Sequence, residues 1–461
     1  MIGRRGFVGG AFLAATTKCI GTQVQSGGTI ARTLKTGVFV AGGGPAGFVA
    51  AIAAARGGAK VTLAETMGFP GGMATAGLVG PISKFNFGGR RVVGGIPWEF
   101  VERMTACGGA IDDLPKGNVP FEAETYRFVA REMLEEAGVR CLWQTQVCGA
   151  PELAADGSIS AVTLSTAGFL SRIEADLFID CTASGALVGH HGFGCFRSAK
   201  GAAQPLSLCF ILGGVDTEKA HVLVRNDNER SANPVLRKAL GDAVASGRLK
   251  SFGGPWAVWG STIRKGFVSV NATRASADVT DPVEMAAATA QMRRDIPVVL
   301  DVFRAADPAF RDAFIAETAA VSGFRESREL VALHRVTADE LFSVDDFPDT
   351  VALGAHPMDE HRAGSNAQNL TFLKRPYPIP LSALMSSKCR NLLAAGGLVA
   401  AEPKAFASMR VQAQCMAMGQ ASGTAAAVAA MRGVPVQKLD RAEIRRMLES
   451  DGAITKLPQK V

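Results

Sequence analysis

The chain has 461 residues, of which 48% are hydrophobic and 20% charged, and its formal net charge is +7. This length predicts two or three domains with a large hydrophobic core, and the composition excludes a disordered or fibrous protein. No apolar run of about eighteen residues occurs, so we expect no integral membrane segment. The positive charge is modest and scattered, which argues against a nucleic-acid partner. The nine cysteines follow no metal-ligand spacing, and we expect no metal site.

Residues 1–31 form a predicted export signal. Arg4 and Arg5 belong to a stretch similar to the twin-arginine pattern, and a short, mildly apolar run and Lys18 follow them. The run is too short to span a bilayer, and we expect cleavage near Ala31. Because twin-arginine export carries folded proteins, we expect a periplasmic or otherwise exported protein. The alternative is a disordered N-terminal tail on a cytoplasmic protein.

A glycine turn follows the first strand that the sequence predicts, residues 38–41. Gly42, Gly44 and Gly47 match the pattern G-x-G-x-x-G, and each glycine meets a separate need. The first makes a tight turn, the second lets backbone amides approach a pyrophosphate, and the third lets the next helix pack close to the strand. The pattern therefore predicts a dinucleotide-binding unit.

The helix and strand after this turn complete the predicted dinucleotide site. Pro45 and Ala46 open an Ala-rich helix whose N-terminus directs free N–H groups and the positive end of its dipole at the phosphates. A second strand, residues 60–65, ends at Glu65, where a carboxylate can accept a hydrogen bond from the ribose 2′-hydroxyl. The same carboxylate would repel the 2′-phosphate of NADP. NAD and FAD both remain compatible with this unit.

A second glycine-rich loop, residues 67–77, favours FAD. It contains Gly71, Gly72 and Met73, and its glycines let the backbone lie against a flat or charged ligand without an intervening Cβ. With these two loops, the chain resembles the FAD-dependent oxidoreductases of the glutathione-reductase type, with gaps, over residues 36–431. It is most similar to the branch whose members read GGGPAG, GGMATAGLVGP and, later in the chain, RESR.

The resemblance implies an α/β fold class. A Rossmann-like FAD-binding domain, with a parallel sheet and flanking helices, would comprise residues 36–200 and 381–432. Residues 201–380 would form an α+β substrate or cap domain, and residues 433–461 a C-terminal helix and tail. Hydrophobic periodicity predicts helices near residues 122–138, 233–247, 282–304 and 440–449, and alternation predicts a strand at 206–212.

FAD is the cofactor that the resemblance implies, with contacts beyond the glycine loops. The residues that match such positions are Val147, Thr182, Ala183, Gly396, Gly419, Gln420 and Ala421. Val147 would lie at the adenine, and the others beside the flavin, where the N-terminus of a closing helix would stabilise a reduced, anionic ring. Two departures from the family stand out. Ala183 adds a methyl group where backbone should approach the cofactor, and residues 397–404 lack the polar side chains of other members.

Four polar residues are candidates for the chemistry. His361 and Asp359 match a family segment of the cap domain, where a histidine can take a proton while its neighbour orients it. Arg325 lies in the RESR motif and Arg410 just before the closing helix, and either guanidinium can bind a carboxylate or stabilise charge on a substrate. The alternatives are a solvated loop for the histidine segment and an internal ion-pair network through Glu326 for Arg325.

These features predict an FAD-dependent oxidoreductase that transfers hydride between a small organic substrate and N5 of the flavin. The substrate class stays open among sugar derivatives, hydroxy acids and steroid-like rings. Because an exported protein meets no NAD(P)H, we expect a quinone, a carrier protein or oxygen as electron acceptor. The alternatives are an NAD-binding dehydrogenase and a catalytically degenerate flavin-binding protein, the latter suggested by the loss of polar residues at 397–404.

Overall fold

The computed structural model describes residues 30–112, 117–199, 201–224, 234–258, 262–362, 366 and 368–456. Nearly all of the predicted export signal, residues 1–29, therefore lies outside the described residues. The expected cleavage site near Ala31 falls within the first strand.

The elements of the described residues are numbered here in chain order. The strands are β1 (Ile30–Ala41), β2 (Val61–Ala64), β3 (Asn86–Phe87), β4 (Arg90–Arg91), β5 (Arg140–Leu142), β6 (Thr145–Leu153), β7 (Ile159–Thr166), β8 (Phe169–Asp180), β9 (Gly194–Phe196), β10 (Phe210–Gly213), β11 (Trp256–Val258), β12 (Val268–Asn271), β13 (Phe314–Thr318), β14 (Arg328–Leu330), β15 (Thr350–Gly354), β16 (Met358–His361), β17 (Gln368–Thr371), β18 (Tyr377–Pro380) and β19 (Leu392–Ala394). The helices are α1 (Pro45–Arg56), α2 (Ile96–Ala106), α3 (Ala123–Glu136), α4 (Thr217–Val224), α5 (Pro234–Ala245), α6 (Pro282–Ala306), α7 (Glu340–Ser343), α8 (Pro403–Met409), α9 (Gln412–Arg432) and α10 (Arg441–Ser450). The four helices predicted from periodicity correspond to α3, α5, α6 and α10.

A seven-stranded sheet forms the centre of the molecule, in the order β5-β2-β1-β8-β7-β6, with β19 paired to β8. β1 runs parallel to β2 and β8, and β5 and β19 add parallel partners at β2 and β8. β6 and β7 complete it as antiparallel strands. β2 and the second half of β1 are buried, apolar runs. Such runs are typical of parallel strands that are covered on both faces of the sheet. The predicted α/β fold class, a parallel sheet with flanking helices, is confirmed.

Helices α1 and α9 pack backbone to backbone beside this sheet. A methyl group at Gly419 would overlap the carbonyl oxygen of Ala46, and one at Gly423 would overlap that of Ala50. Since Ala46 is the second residue of α1 and Gly419 the eighth of α9, the helices run parallel with an offset. At about 1.5 Å per residue, the start of α9 projects roughly 9 Å beyond the start of α1.

A four-stranded antiparallel sheet, β11-β12-β10-β13, forms a second layer with its own hydrophobic core. The long helix α6 begins at the N-cap Asp281, whose carboxylate accepts hydrogen bonds from two backbone amides of the first turn. The strand predicted at 206–212 is shorter than expected, because β10 begins at Phe210 and Leu206 forms only a single bridge. The buried residues before β10 nevertheless contribute to this core.

The later part of the predicted cap region packs elsewhere. Apolar side chains of residues 336–379 join the core around α1 and α9, not the core of the four-stranded sheet. Strands β16 and β17 lie in this part, and β16 contacts α8. Among the helices of the described residues, none is long and apolar enough to span a bilayer.

Replacing Gly419 with alanine should destabilise the protein, because the new methyl group would force α9 away from α1. Overpacking of this kind costs about 1–3 kcal/mol. Gly241→Ala on α5 is the matched control, since its methyl group would meet no atom within 4 Å and should stabilise the helix by up to about 1 kcal/mol. Urea unfolding of both variants measures the difference. Equal stability of Gly419→Ala and the unmodified protein would contradict the close approach of the two helices.

Candidate flavin and substrate site

The glycine turn at the end of β1 has the geometry that the sequence predicts. Gly42 has φ +90°, and a Cβ there would meet the backbone of Cys181 at 2.9 Å. A methyl group at Gly47 would overlap the carbonyl oxygen of Gly42. A Cβ at Gly44 would meet nothing within 4 Å, so this face of the turn is open. Gly44 is also the N-cap of α1, which has no side-chain cap, so its first amides are available to an anion.

The carboxylate of Glu65 joins the two glycine loops. Its Oε2 accepts a hydrogen bond from the Gly43 amide at 2.6 Å, and its Oε1 accepts one from the Met67 amide at 2.8 Å. The Gly71 amide donates to the carbonyl oxygen of Gly43 at 2.8 Å. Oε1 also accepts from the Thr66 hydroxyl at 2.9 Å, so both of its lone pairs are used, and Oε2 retains one lone pair for a ribose hydroxyl.

Gly71 and Gly72 then turn the chain into a short 3₁₀ helix, Gly72–Ala74. Both have left-handed φ angles, +109° and +48°, and a Cβ at Gly72 would meet Gly44 at 3.0 Å. Met73 extends from this helix toward the second layer, where a Cβ at Gly323 would lie 3.1 Å from its sulfur. The predicted residues of the two glycine loops are therefore brought together, with Met73 at the boundary of the two layers.

The turn after β8 is held by buried hydrogen bonds. Asp180 accepts from the amides of Leu187 and Val188, at 2.7 and 3.0 Å, and from the Thr182 amide at 3.0 Å. Ala183 has a left-handed φ of +60°, a conformation that costs a non-glycine residue about 1–2 kcal/mol. A glycine would adopt the same conformation without this cost.

The RESR motif supports the same turn. The Ser327 hydroxyl donates to the carbonyl oxygen of Ala183, and Arg328 donates to that of Ser184 at 2.9 Å. Glu326 accepts from the Gln204 amide at 2.7 Å and makes no ion pair with Arg325. The alternative of an internal ion-pair network through Glu326 for Arg325 is therefore not supported by a direct ion pair, because the Glu326 carboxylate accepts from the Gln204 amide instead.

Arg197 holds the backbone at the start of the stretch 397–404. Its guanidinium is fully buried, pairs with Glu329 at 3.0 Å, and donates to carbonyl oxygens of Gly397, Val399 and Ala401. Burial lowers the pKa of Arg197 to about 10, so it stays charged at neutral pH. No sequence pattern predicted a role for this residue, because its partners lie far along the chain.

Of the residues predicted beside the flavin, Gly396 lies at the junction of the two helices. It has φ +68°, and a Cβ there would meet Ala46 at 2.9 Å and Cys415 at 3.7 Å. Val147 lies on β6, opposite Leu164 of β7, and is partly buried.

Gly419, Gln420 and Ala421 contact other parts of the protein. Gly419 faces Ala46, Ala421 is fully buried, and Gln420 accepts a hydrogen bond from the Ile96 amide at 3.0 Å, which caps α2. The offset between α1 and α9 accounts for these protein contacts. The end of α9 that projects beyond α1 lies two turns before Gly419, so the three residues are inside the helix pair and not at its open end. The N-cap of α9 is Val411, which offers no side-chain cap to the first amides.

His361 and Asp359 form a buried pair on β16. Nε2 of His361 lies 3.0 Å from Oδ2 of Asp359, and Nδ1 lies 2.6 Å from a guanidinium nitrogen of Arg274. Because a guanidinium only donates, Nδ1 accepts and Nε2 carries the proton in this arrangement. Burial, reinforced by the charge of Arg325, lowers the pKa of His361 to about 4. The ring is therefore neutral, with both nitrogens engaged.

Asp359 stays ionised although it is buried. Burial alone would raise its pKa, but the hydrogen bond from His361 and the positive charge of Arg410 lower it well below the usual value. Arg410 donates to the Asp359 carbonyl oxygen at 2.9 Å and lies 3.8 Å from Oδ2. Gln368 donates to Oδ1 at 2.7 Å.

Three arginines act on this pair, Arg274 and Arg410 by hydrogen bonds and Arg325 by its charge, and they are called here the arginine cluster. Arg325 donates to the carbonyl oxygen of Pro205 and to the Ser207 hydroxyl. Burial, together with the charge of Arg410, lowers the pKa of Arg325 to about 9, and burial lowers that of Arg274 to about 10. The sequence did not single out Arg274, which follows β12 and reaches His361 across the layers.

His356, which lies just before β16, is the second neutral histidine. Its Nδ1 lies 2.7 Å from the carbonyl oxygen of Pro357, so Nδ1 carries the proton and Nε2 the lone pair. No described residue hydrogen-bonds to Nε2. Its carbonyl oxygen accepts from Ser408 of α8 at 2.5 Å, beside the turn into α9. Burial lowers its pKa to about 4, and the charges of Asp359, Arg410 and Lys84 also act on it.

A cleft of about 620 Å³ reaches the edge of this region and is lined by Gln204, Glu326 and His361. A second cleft, about 710 Å³, lies between α2 and the C-terminal helix and contains none of the predicted site residues. No group of three or more potential metal ligands occurs in the part of the chain that the structure describes.

The residues present fit FAD. The open face at Gly44 and the uncapped start of α1 would hold its pyrophosphate, and Glu65 its ribose. Gly72, Gly396 and the uncapped start of α9 surround the place where backbone can approach its ring.

Glu65→Gln should weaken FAD binding, because a neutral amide replaces a carboxylate that joins both glycine loops. Hydrogen bonds to charged groups contribute about 1.5–3 kcal/mol, so the Kd for FAD should rise roughly tenfold to a hundredfold. Quenching of FAD fluorescence by the cofactor-free protein measures this. Glu132→Gln, at an exposed position of α3, should leave the Kd unchanged. An unchanged Kd in Glu65→Gln would show that the carboxylate serves only the fold.

Comparison with known proteins agrees with this geometry. The family model described as FAD dependent oxidoreductase matches residues 37–448. No curated protein matches the sequence. Similar solved structures include a geranylgeranyl bacteriochlorophyll reductase-like protein from Thermoplasma acidophilum, 12% identical, with a TM-score of 0.43 over 91% of this chain and 83% of that one. Another is a flavoprotein/dehydrogenase from Cytophaga hutchinsonii, 14% identical, with a TM-score of 0.43 over 90% of this chain and 84% of that one.

A third similar structure is p-nitrophenol 4-monooxygenase PnpA from Pseudomonas putida, 13% identical, with a TM-score of 0.44 over 91% of this chain and 86% of that one. The family match covers most of the chain, and the glycine loops and Glu65 fit the cofactor. This chain therefore belongs to the FAD dependent oxidoreductases, and FAD is its cofactor.

Proposed function

We propose that this protein is a dehydrogenase in which hydride passes between a small organic substrate and N5 of FAD, while His356 takes the accompanying proton. Bound FAD supplies a ring that takes up two electrons with a hydride. An alcohol or amine that loses hydride to FAD must also lose a proton from oxygen or nitrogen, and it becomes a carbonyl compound or an imine. With FAD as cofactor, the alternative of an NAD-binding dehydrogenase is wrong.

The observation that carries this proposal is the free lone pair on Nε2 of His356. The Pro357 carbonyl oxygen fixes the proton on Nδ1, so Nε2 is ready to accept a second proton. The low pKa keeps the ring neutral before reaction. The hydrogen bond from Ser408 holds the backbone of His356 against α8, close to the turn that starts α9.

His361 and Asp359 suit a positioning role better than that of a proton acceptor. The lone pair on Nδ1 of His361 already accepts from Arg274, so it would need Arg274 to move away. The pair instead links Arg274 to Arg410 through Asp359. Arg410 and Arg325 retain N–H donors that can orient a substrate and stabilise charge that develops on it.

The electrons would leave to a quinone, a carrier protein or oxygen. This part of the proposal rests on export to the periplasm, which the twin-arginine pattern of residues 1–31 suggests. In a compartment without NAD(P)H, dehydrogenation is the favoured direction. If the protein stays in the cytoplasm, the proposed proton transfer is unaffected.

The first test is the visible spectrum of the purified protein before and after acid precipitation. A yellow supernatant would support non-covalent FAD, and a yellow pellet would mean covalent attachment. Anaerobic mixing with a panel of alcohols, hydroxy acids and amines should then bleach the flavin. A protein that holds FAD but is reduced by no substrate and turns over with no electron acceptor would instead be a catalytically degenerate flavin-binding protein.

His356→Gln should slow flavin reduction by about 10²–10⁴-fold, the usual contribution of a positioned base. His361→Gln should have a smaller effect, because it disturbs only the positions of Arg274 and Asp359. His334→Gln is the control, since His334 is one-third exposed and pairs with Glu340. Stopped-flow reduction with the same substrate compares the three. Loss of the rate in His361→Gln with a normal rate in His356→Gln would transfer the proton-acceptor role to His361.

The reduction rate of the unmodified protein should be independent of pH from about 5 to 8. Burial lowers the pKa of His356 to about 4, so the neutral, proton-accepting ring predominates above that pH and is lost below it. The rate constant for reduction, measured across this range, should fall only as pH approaches 4. A rate that falls between pH 7 and 6 would mean that the acceptor has an ordinary histidine pKa and is not this ring.

A further inference from the structure

We propose that Gln412 is a flavin-binding residue, whose side-chain oxygen accepts a hydrogen bond from N3–H of the isoalloxazine ring of FAD. Such a contact requires only that FAD is the cofactor. It is independent of the direction of hydride transfer and of the role of His356. Three observations carry it: an unpartnered buried oxygen, the face of α9 on which it lies, and the hydrogen bond that orients its amide.

The amide of Gln412 has one satisfied and one unsatisfied end. Gln412 is the first residue of α9 and only 8% exposed. Its Nε2 donates to the carbonyl oxygen of Val79 at 2.7 Å. Because a carbonyl oxygen only accepts, this hydrogen bond assigns Nε2 to Val79 and leaves Oε1 for a different donor. Oε1 is buried and has no hydrogen-bond partner among the described residues. A buried acceptor without a donor is costly, and a ligand that supplies the donor removes this cost.

The position of Gln412 on α9 directs it past the start of α1. Gln412 precedes Gly419 by seven residues, close to two helical turns, so both lie on the face that meets α1. Gly419 lies against Ala46, the second residue of α1, and the start of α9 projects roughly 9 Å beyond the start of α1. Side chains on a helix tilt toward its N-terminus, which carries Gln412 further outward. The side chain therefore faces the space beside the N-terminus of α1 and not α1 itself.

The second glycine loop borders the same space. The Val79 amide donates to the carbonyl oxygen of Met73 at 2.9 Å. Met73 follows Gly72, where a Cβ would lie 3.0 Å from Gly44 of the glycine turn. Gln412 is thus connected through Val79 to the loop that touches the open face of this turn. These contacts place its amide where the two glycine loops and the start of α9 surround the ring.

The donors and acceptors at the start of α9 match one edge of the flavin. The ring of oxidised FAD has a single N–H group, N3–H, which lies between the carbonyl groups C2=O and C4=O. This edge needs an acceptor for its N–H and donors for its carbonyl oxygens. Oε1 of Gln412 is an acceptor, and the first amides of α9, whose N-cap Val411 provides no side-chain cap, are donors. Since N3–H is present in both the oxidised and the reduced ring, the contact would hold the flavin in both states.

Gln414 provides a matched control within the same turn of α9. It is fully buried, and neither atom of its amide has a hydrogen-bond partner among the described residues. Two residues correspond to about 200° of rotation around the helix, so Gln414 points away from the side that carries Gln412. Its replacement should leave the contact with N3–H intact.

The test is a double-mutant cycle between the protein and the cofactor. Cofactor-free protein is titrated with FAD and with N3-methyl FAD, which has no N3–H, and fluorescence quenching gives each Kd. The unmodified protein should bind N3-methyl FAD roughly fivefold to a hundredfold more weakly than FAD, because a buried acceptor loses its donor. Gln412→Ala should bind FAD itself about threefold to tenfold more weakly, the net contribution of one hydrogen bond, and should lose most of the discrimination. Gln414→Ala should discriminate as the unmodified protein does.

Three results would overturn the contact. One is equal binding of the two cofactors by the unmodified protein. Another is weaker binding of FAD by Gln412→Ala with an unchanged ratio of the two Kd values, which would assign Gln412 a structural role through Val79. The third is loss of discrimination in Gln414→Ala but not in Gln412→Ala. Gln412→Met keeps most of the side-chain volume and gives the same comparison if Gln412→Ala fails to fold.

The two proposals fail in different ways. The cycle measures cofactor binding without substrate, so loss of discrimination in Gln412→Ala would support the contact even if no substrate ever reduces the flavin. Reduction of the flavin by a substrate, together with unchanged discrimination in Gln412→Ala, would support the dehydrogenase and contradict the contact.

Discussion

The direct backbone contact between α1 and α9 is the constraint on which the site depends. Gly419 and Gly423 leave no side chain between the helices, so the carbonyl oxygens of Ala46 and Ala50 lie against α9. This contact fixes the offset that carries the start of α9 past the glycine turn. The pyrophosphate cradle and the flavin end of the site are therefore set by one helix pair. Gly396, at the same junction, lets the segment after β19 approach Ala46 of α1 and Cys415 of α9.

Around this frame, buried charges are treated in two different ways. Glu329 neutralises Arg197, and three carbonyl oxygens accept hydrogen bonds from its terminal guanidinium nitrogens. Arg197 holds the backbone of residues 397–401 in this way and serves the fold. In the arginine cluster, Arg325 donates only to neutral oxygens among the described residues, and the neighbouring histidines stay neutral. Buried charges that the protein neutralises only in part are typical of ligand-binding and catalytic sites, because they remain able to interact with a substrate.

The sequence was sufficient to predict those parts of the cofactor site that depend on residues close together in the chain. These parts are the glycine turn, Glu65 and the second glycine loop. The family resemblance predicted Gly419, Gln420 and Ala421 as contacts of the flavin, and these three residues show the limit of a motif match. The match located the helix, but only the offset between α1 and α9 shows which side chains face protein. The sequence could not predict the roles of Arg274 and Arg197, because their partners lie in distant segments of the chain. It could not predict the tautomer of His356 either, because the tautomer depends on which carbonyl oxygen accepts the Nδ1 proton.

The pairing of α1 with α9 also has a consequence for the order of events during synthesis. The turn that holds the pyrophosphate emerges early from the ribosome, while Gly396, Gly419 and Gly423 emerge near the end. Contacts between segments so far apart in the chain form late and favour a slow, cooperative final step. A nascent chain that stops before α9 has an exposed α1 and half a cofactor site. FAD can therefore be captured in full only after α9 has been synthesised and packed, which makes cofactor retention an indicator that α1 and α9 have paired.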